Sequence, residues 1–165
     1  STSLVDLAGR QADIALRLSP RPPDYLIGRK VLPLAHGIYA SSKYLETERS
    51  EERLILWEHE REHPEWAHDH YQGSHVALRV SEIMTMLDAV KQHMGLARMP
   101  CYVADTEPNL RRIDLTLTPS NWGVWVLSHV DLRSTARVRV CKEFLIHIIE
   151  QQRHLIEGLD STYLK

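Results

Sequence analysis

The chain has 165 residues, 43% hydrophobic and 25% charged, with a formal net charge of -2. That balance is ordinary for a globular domain, and it excludes a bulk electrostatic attraction to nucleic acid. No apolar run is long enough to span a bilayer, and no basic segment leads into an apolar one at the N-terminus, so neither a membrane span nor a signal peptide is expected.

Residues 4–10 suit a short helix with Gly9 near its end. In ADIALRL (12–18), Ile14, Leu16 and Leu18 alternate with Asp13, Ala15 and Arg17, the period of a strand. SPRPPD (19–24) is a turn, because its three prolines remove donors and fix φ. Two extended stretches follow over 26–40, broken near Pro33, and Ser41 or Ser42 caps a short helix through Leu45. A polar loop (46–53) precedes a short buried strand at 54–57. A His-, Glu- and Trp-rich segment then runs to Gly73, and 75–80 forms a strand.

The clearest middle helix is 81–94, with Ile83, Met84, Met86, Leu87, Val90 and Met94 as its apolar stripe and Gly95 as its C-terminal cap. Residues 96–99 form a strand stopped by Pro100, and 116–121 form a loop. A strand at 123–127 leads into a final helix capped by Ser134, buried through Cys141, Phe144, Leu145, Ile148, Ile149, Leu155 and Ile156, and ended by Gly158. Cys101 and Cys141 have no CxxC spacing and suit small core residues in a reduced cytoplasm. The alternation of strands and helices indicates an α/β architecture. The late strand followed by a long helix suits two lobes, with the chain crossing out and back.

Four stretches carry a resemblance: DLAGRQADIALRL (6–18), GIYASSKYL (37–45), SEIMTMLDAVKQHMGLARMPCYVAD (81–105) and WVLSHVDLRSTARVRVCKEFLIHIIEQQ (125–152). In order and spacing they resemble the effector-binding domain of LysR-type bacterial transcriptional regulators. The resemblance implies a periplasmic-binding-protein-like fold of two Rossmann-like lobes, with a small-molecule inducer in the cleft between them. Lobe I would be residues 1–40 plus 122–165, and lobe II residues 41–121. It implies no catalysis, no cofactor and no metal. DNA would be contacted only through a winged helix-turn-helix that this sequence lacks, and effector domains would pair antiparallel into homodimers or tetramers. Lobe I would also lack its first strand, first helix and most of its second strand, leaving Ser1 to Ser3 as that strand's tail.

Ligands of open α/β sheets sit beyond the carboxyl ends of strands, where helix N-termini offer free N–H groups. Ser81 and Glu82 occupy such a junction, as ligand contacts or as plain helix caps. Glu82 would favour a hydroxyl, amine or cation on the inducer over a carboxylate. Arg17 and Ser19 end the 12–18 strand. Arg17 could pair a ligand carboxylate or form a salt bridge with Asp13 or Asp24. The resemblance adds Thr2 and Ser3 as hydroxyl contacts. His129, after the 123–127 strand, and Tyr102 complete the candidates, each also readable as a loop or packing residue.

The rival motif is His59-Glu60-Arg61-Glu62-His63, an HExxH match in which two histidines one helical turn apart would hold zinc and Glu60 would act as general base, making a metallohydrolase. Pro64 opposes it, because the residue before a proline is pushed out of helical geometry. Adventitious metal binding by His63, His68 and His70 is the weaker form of that reading. A stand-alone small-molecule binding protein is the remaining alternative. Arg133, Arg137, Arg139 and Lys142 read as a solvated helix face.

Overall fold

The computed structural model describes residues 12–60 and 63–159. In chain order the elements are β1 (Ile14–Ser19), β2 (Leu26–Pro33), β3 (His36–Ser41), α1 (Ser42–Glu46), β4 (Arg53–Trp57), α2 (Glu65–His70), β5 (His75–Val80), α3 (Ile83–Lys91), β6 (Ala97–Pro100), α4 (Cys101–Ala104), β7 (Leu110–Ile113), β8 (Gly123–His129), α5 (Ala136–Gln151) and α6 (Arg153–Ile156). The predicted helix at 4–10 lies outside the described residues. The chain forms two compact units: His36–Pro119, and residues 12–35 with Ser120–Leu159. Among the described residues no helix is long and apolar enough to cross a membrane.

In the discontinuous unit, β8 lies between β1 and β2 and pairs antiparallel with both. Its central place explains the run Val124, Val126, Leu127, Ser128, all buried. Alternation sorts the sheet into two faces. On one, Leu16 pairs with Val126, and Arg29 of β2 reaches from that row to Glu150 of α5 at 3.0 Å. On the other, Leu26 and Leu127 pack with Ala12, Ala15 and Trp125.

In the 36–119 unit, β3 runs between β6 and β7, antiparallel to each. β4 and β5 form a separate parallel pair. The buried run Leu54-Ile55-Leu56 shows no polar alternation, as expected of a parallel strand covered on both faces. Tyr44, Trp66, Ala67 and Leu96 close a core around Ile38, Ala40, Leu54 and Leu56.

Several expectations need correction. The middle helix starts at Ile83 and not at Ser81; Glu82 holds the N-cap position and its side chain makes no capping hydrogen bond. Met86, Leu87 and Val90 are buried as expected, but Met84 is 59% exposed. Gly95 is not the cap: the chain turns at His93, whose φ is +65°. Gly95 is required for a close approach instead, since a Cβ there would lie 2.4 Å from the Arg53 carbonyl oxygen.

The last helix is interrupted at Gln152, and its N-cap is Thr135, not Ser134. Its buried residues are Val138 and Ile149. Cys141 is exposed, Phe144 is 61% exposed and Ile148 is 40% exposed. α5 is apolar around more of its circumference than one sheet contact covers, so a second stripe, Val140, Phe144 and Ile148, faces outward at i, i+4, i+8. Strand β7 has no counterpart in the sequence reading, because LRRI carries two arginines in four positions.

Candidate functional site

At the carboxyl end of β1, the register sets Arg17 opposite Trp125 and Trp125 opposite Lys30, one row across three strands. Residues directly opposite share a face, so Arg17, Trp125 and Lys30 lie on one side of the sheet. In the next row Ser19 faces Gly123. A Cβ on Gly123 would come within 2.5–3.0 Å of the Lys30 side-chain carbons, so the glycine lets that side chain lie flat across β8. The Trp125 indole N–H donates to the Ser19 carbonyl at 3.0 Å, fixing the ring against the strand end. The Ser19 hydroxyl is buried and has no hydrogen-bond partner. Just beyond, the prolyl turn borders an open surface hollow of about 610 Å³ lined by Arg17, Leu18, Ser19, Arg21, Pro22, Pro23 and Asp24. Asp13 pairs with Arg137 at 3.7 Å and not with Arg17. Neither Arg17 nor Arg21 has an ion-pair partner among the described residues.

Ser81 and Glu82 lie between β5 and α3, Ser81 exposed and Glu82 half-buried. The Glu82 carbonyl accepts the Met86 N–H at 3.1 Å and starts the helix. His129 is a local cap: its Nδ1 accepts the Asp131 N–H at 3.2 Å. Tyr102 is half-buried in α4, and burial raises its pKa. Thr2 and Ser3 lie outside the described residues. Arg17 and Ser19 are thus brought together at one strand end; Ser81 and Glu82 belong to the 36–119 unit.

The HExxH segment does not build a zinc helix. His59 sits in a turn, His63 belongs to no helix or strand, and helix α2 begins at Glu65 behind Pro64. The Glu60 carboxylate accepts the Trp57 N–H at 3.0 Å, closing the turn after β4. His63 Nε2 lies 3.0 Å from the Ser74 carbonyl and His70 Nε2 lies 3.0 Å from that of Thr116. Among the described residues no group of three or more His, Cys, Asp or Glu side chains could hold a metal ion.

Two polar networks went unread in the sequence. The Tyr39 hydroxyl of β3 donates to Asp105 at 2.5 Å, and Arg112 of β7 meets the other carboxylate oxygen at 3.3 Å, so the residue that ends α4 is tied to two strands. Burial, the Cys101 thiol and the Asp105 hydrogen bond hold the Tyr39 phenol far above its ordinary range, and burial pushes the Cys101 thiol up. This thiol is a packed group, not a reactive one. In the second network, Arg49 donates to both oxygens of Glu52, Tyr44 donates to Glu52 at 2.6 Å, and the Arg49 guanidinium lies 4.3 Å from the Tyr44 ring centre. Only the i,i+3 spacing of Arg49 and Glu52 hinted at it. Partners 66 positions apart, as Tyr39 and Asp105 are, leave no local signal.

Two α/β units built from a chain that leaves one and returns to it resemble the two-lobed fold of the periplasmic-binding-protein type. The family model of the LysR substrate binding domain matches residues 1–148, and the chain belongs to that family. A curated relative, the probable HTH-type transcriptional regulator LtrA of Klebsiella pneumoniae, is 26% identical over 161 residues; the match covers 81% of this chain and 49% of that protein, so the chain spans about half its length. The effector domain of the transcriptional regulator AmpR of Pseudomonas aeruginosa has a similar fold, with a TM-score of 0.65 at 13% identity, covering 91% of this chain and 78% of that one. CrgA, a LysR-type transcriptional regulator from Neisseria meningitidis, gives a TM-score of 0.68 at 15% identity, covering 92% and 56%.

Proposed function

We propose that this chain is the inducer-sensing part of a LysR-type transcriptional regulator, with lobe I formed by residues 1–40 plus 122–165 and lobe II by residues 41–121. The compact units, which divide after residues 35 and 119, support that assignment. A small molecule binds between the lobes and biases their arrangement. Effector domains pair as dimers or tetramers, and DNA is contacted through a winged helix-turn-helix elsewhere in the regulator. Arg17, Ser19 and His129 serve the ligand from lobe I, with Thr2 and Ser3, and Ser81 and Glu82 serve it from lobe II. The observation that carries the reading is the family match over residues 1–148 on a two-unit α/β fold.

The outer edge of β1 has no partner strand among the described residues. Leu16, on the α5 side of the sheet, is 52% exposed, and Val140 and Phe144 are each 61% exposed. An unpaired edge beside an apolar surface is unfavourable in water unless something covers it.

The test is a melting-temperature screen of small metabolites against the full-length protein, followed by footprinting on its own promoter. A ligand at a hundred times its dissociation constant stabilises by about 2.7 kcal/mol, and it should change the footprint. A gene with no winged helix-turn-helix in frame, or a protein that ignores every promoter fragment, would overturn the reading.

A further inference from the structure

The hollow at the end of β1 is built from parts that the fold itself leaves unused. Arg17 and Arg21 are guanidiniums with no ion-pair partner among the described residues, whereas Arg29 on the same sheet is engaged by Glu150. An arginine at a strand end, half-buried as Arg17 is, gains from a planar anion that its fork can grip with two parallel hydrogen bonds. The Ser19 hydroxyl beside it is buried without an acceptor or donor. Native proteins rarely leave such a group unmatched, and each instance asks for a partner. Lys30 lies flat over Gly123, the residue opposite Ser19, so a third positive charge approaches the same row.

The rest of the lining is of a different kind. Leu18, Pro22 and Pro23 present apolar surface, and the prolines hold it rigidly. Asp24 is the one carboxylate in the lining and is exposed. Against the two arginines of the lining it leaves a net positive site. A bare inorganic anion would use the guanidiniums and waste the apolar wall. A neutral apolar molecule would do the reverse. Trp125 stands behind the strand end, its indole N–H committed to the Ser19 carbonyl, and so reports on whatever moves Ser19.

We propose that this hollow takes a small amphipathic carboxylate, its carboxylate gripped by Arg17 and Arg21, and its apolar body against Leu18, Pro22 and Pro23. The proposal rests on the sensor reading only in naming the ligand class of the inducer; the site itself lies wholly within one unit. It departs from the expectation drawn from Glu82, which sits in the other unit and disfavours a carboxylate only near itself.

The experiment titrates the full-length protein with cyclohexanecarboxylate, its neutral isostere cyclohexanecarboxamide, and inorganic phosphate, following the Trp125 indole N–H resonance. The expected result is saturable binding of the carboxylate in the millimolar range, a shift of the Trp125 resonance, and little response to the other two probes. Arg17→Gln should weaken binding by about tenfold or more. Arg21→Gln should weaken it as well, and Arg29→Gln should leave it unchanged. Equal binding of the amide, equal binding by Arg17→Gln, a response to phosphate alone, or no saturable binding would each overturn the proposal. A neutral effector that binds and alters promoter footprinting while the carboxylate does neither would sink this ligand class and leave the sensor reading standing.

Discussion

The Ser41 hydroxyl lies 2.7 Å from His93 Nδ1, and it also accepts the Tyr44 N–H at 3.0 Å. One fully buried oxygen therefore caps α1 and anchors the turn after α3. His93 is held there at φ +65°, and Arg53 donates to its carbonyl at 3.0 Å. Replacing His93 by Ala or by Gly loses the same side-chain bond, but only Gly adopts that backbone freely. His93→Ala should therefore be about 1 kcal/mol less stable than His93→Gly in urea titrations. Equal stability would show that the turn rearranges when the imidazole is removed.

Asp105 is 2% exposed and is shared by Tyr39 and Arg112. Tyr39→Phe removes one hydrogen bond to a charged acceptor and should cost about 1.5–3 kcal/mol. Asp105→Ala strips the carboxylate from Arg112 as well and should cost about 3–5 kcal/mol. The ordering of the two variants is the prediction, read from denaturation midpoints.

Burial alone would raise the Glu52 carboxyl, but hydrogen bonds from Arg49 and Tyr44 and the charges of Arg49 and Arg53 outweigh it, so its pKa is lowered from 4.5. The unfolded chain binds the proton first as pH falls. The stabilisation is complete at neutral pH and is lost as pH drops below the unfolded value and through the lower folded one. Glu52→Gln should be less stable than the parent at pH 7, with the gap closing below about pH 4.5. Melting curves at pH 3 and pH 7 decide it; a gap that widens in acid contradicts the assignment.

Among the described residues Glu60 is engaged by the Trp57 N–H, and no three His, Cys, Asp or Glu side chains gather to hold a metal ion. Extensive dialysis against a chelator should leave the melting temperature unchanged, and Glu60→Gln should cost about 1 kcal/mol or less, through the turn bond to Trp57 alone. A fall of several degrees on chelation, restored by one zinc per chain, would bring back the hydrolase reading.

The two faces of α5 should answer mutation differently. Ile149 is 6% exposed and Phe144 is 61% exposed. Ile149→Ala should cost about 2–4 kcal/mol. Phe144→Ser should change the stability of this chain by about 0.5 kcal/mol or less.

What the sequence determined here is local or periodic. Alternation marked β1, the run VWVL marked β8, and helical spacing marked α3 and α5, because hydrophobic period follows from backbone geometry that neighbours in the chain share. Pro64 counted against a zinc helix at His63. The order of four stretches carried the family. Tertiary structure decided the rest. Whether Phe144 or Ile149 is buried depends on which side of α5 meets β2 and β8, and a helix apolar on two sides does not encode that choice. The antiparallel register that sets Arg17, Trp125 and Lys30 in one row joins strands more than a hundred positions apart between β1 and β8. Asp105, Glu52 and Ser41 look like solvated residues in sequence and are buried or half-buried in the fold, because the groups that satisfy them come from other elements.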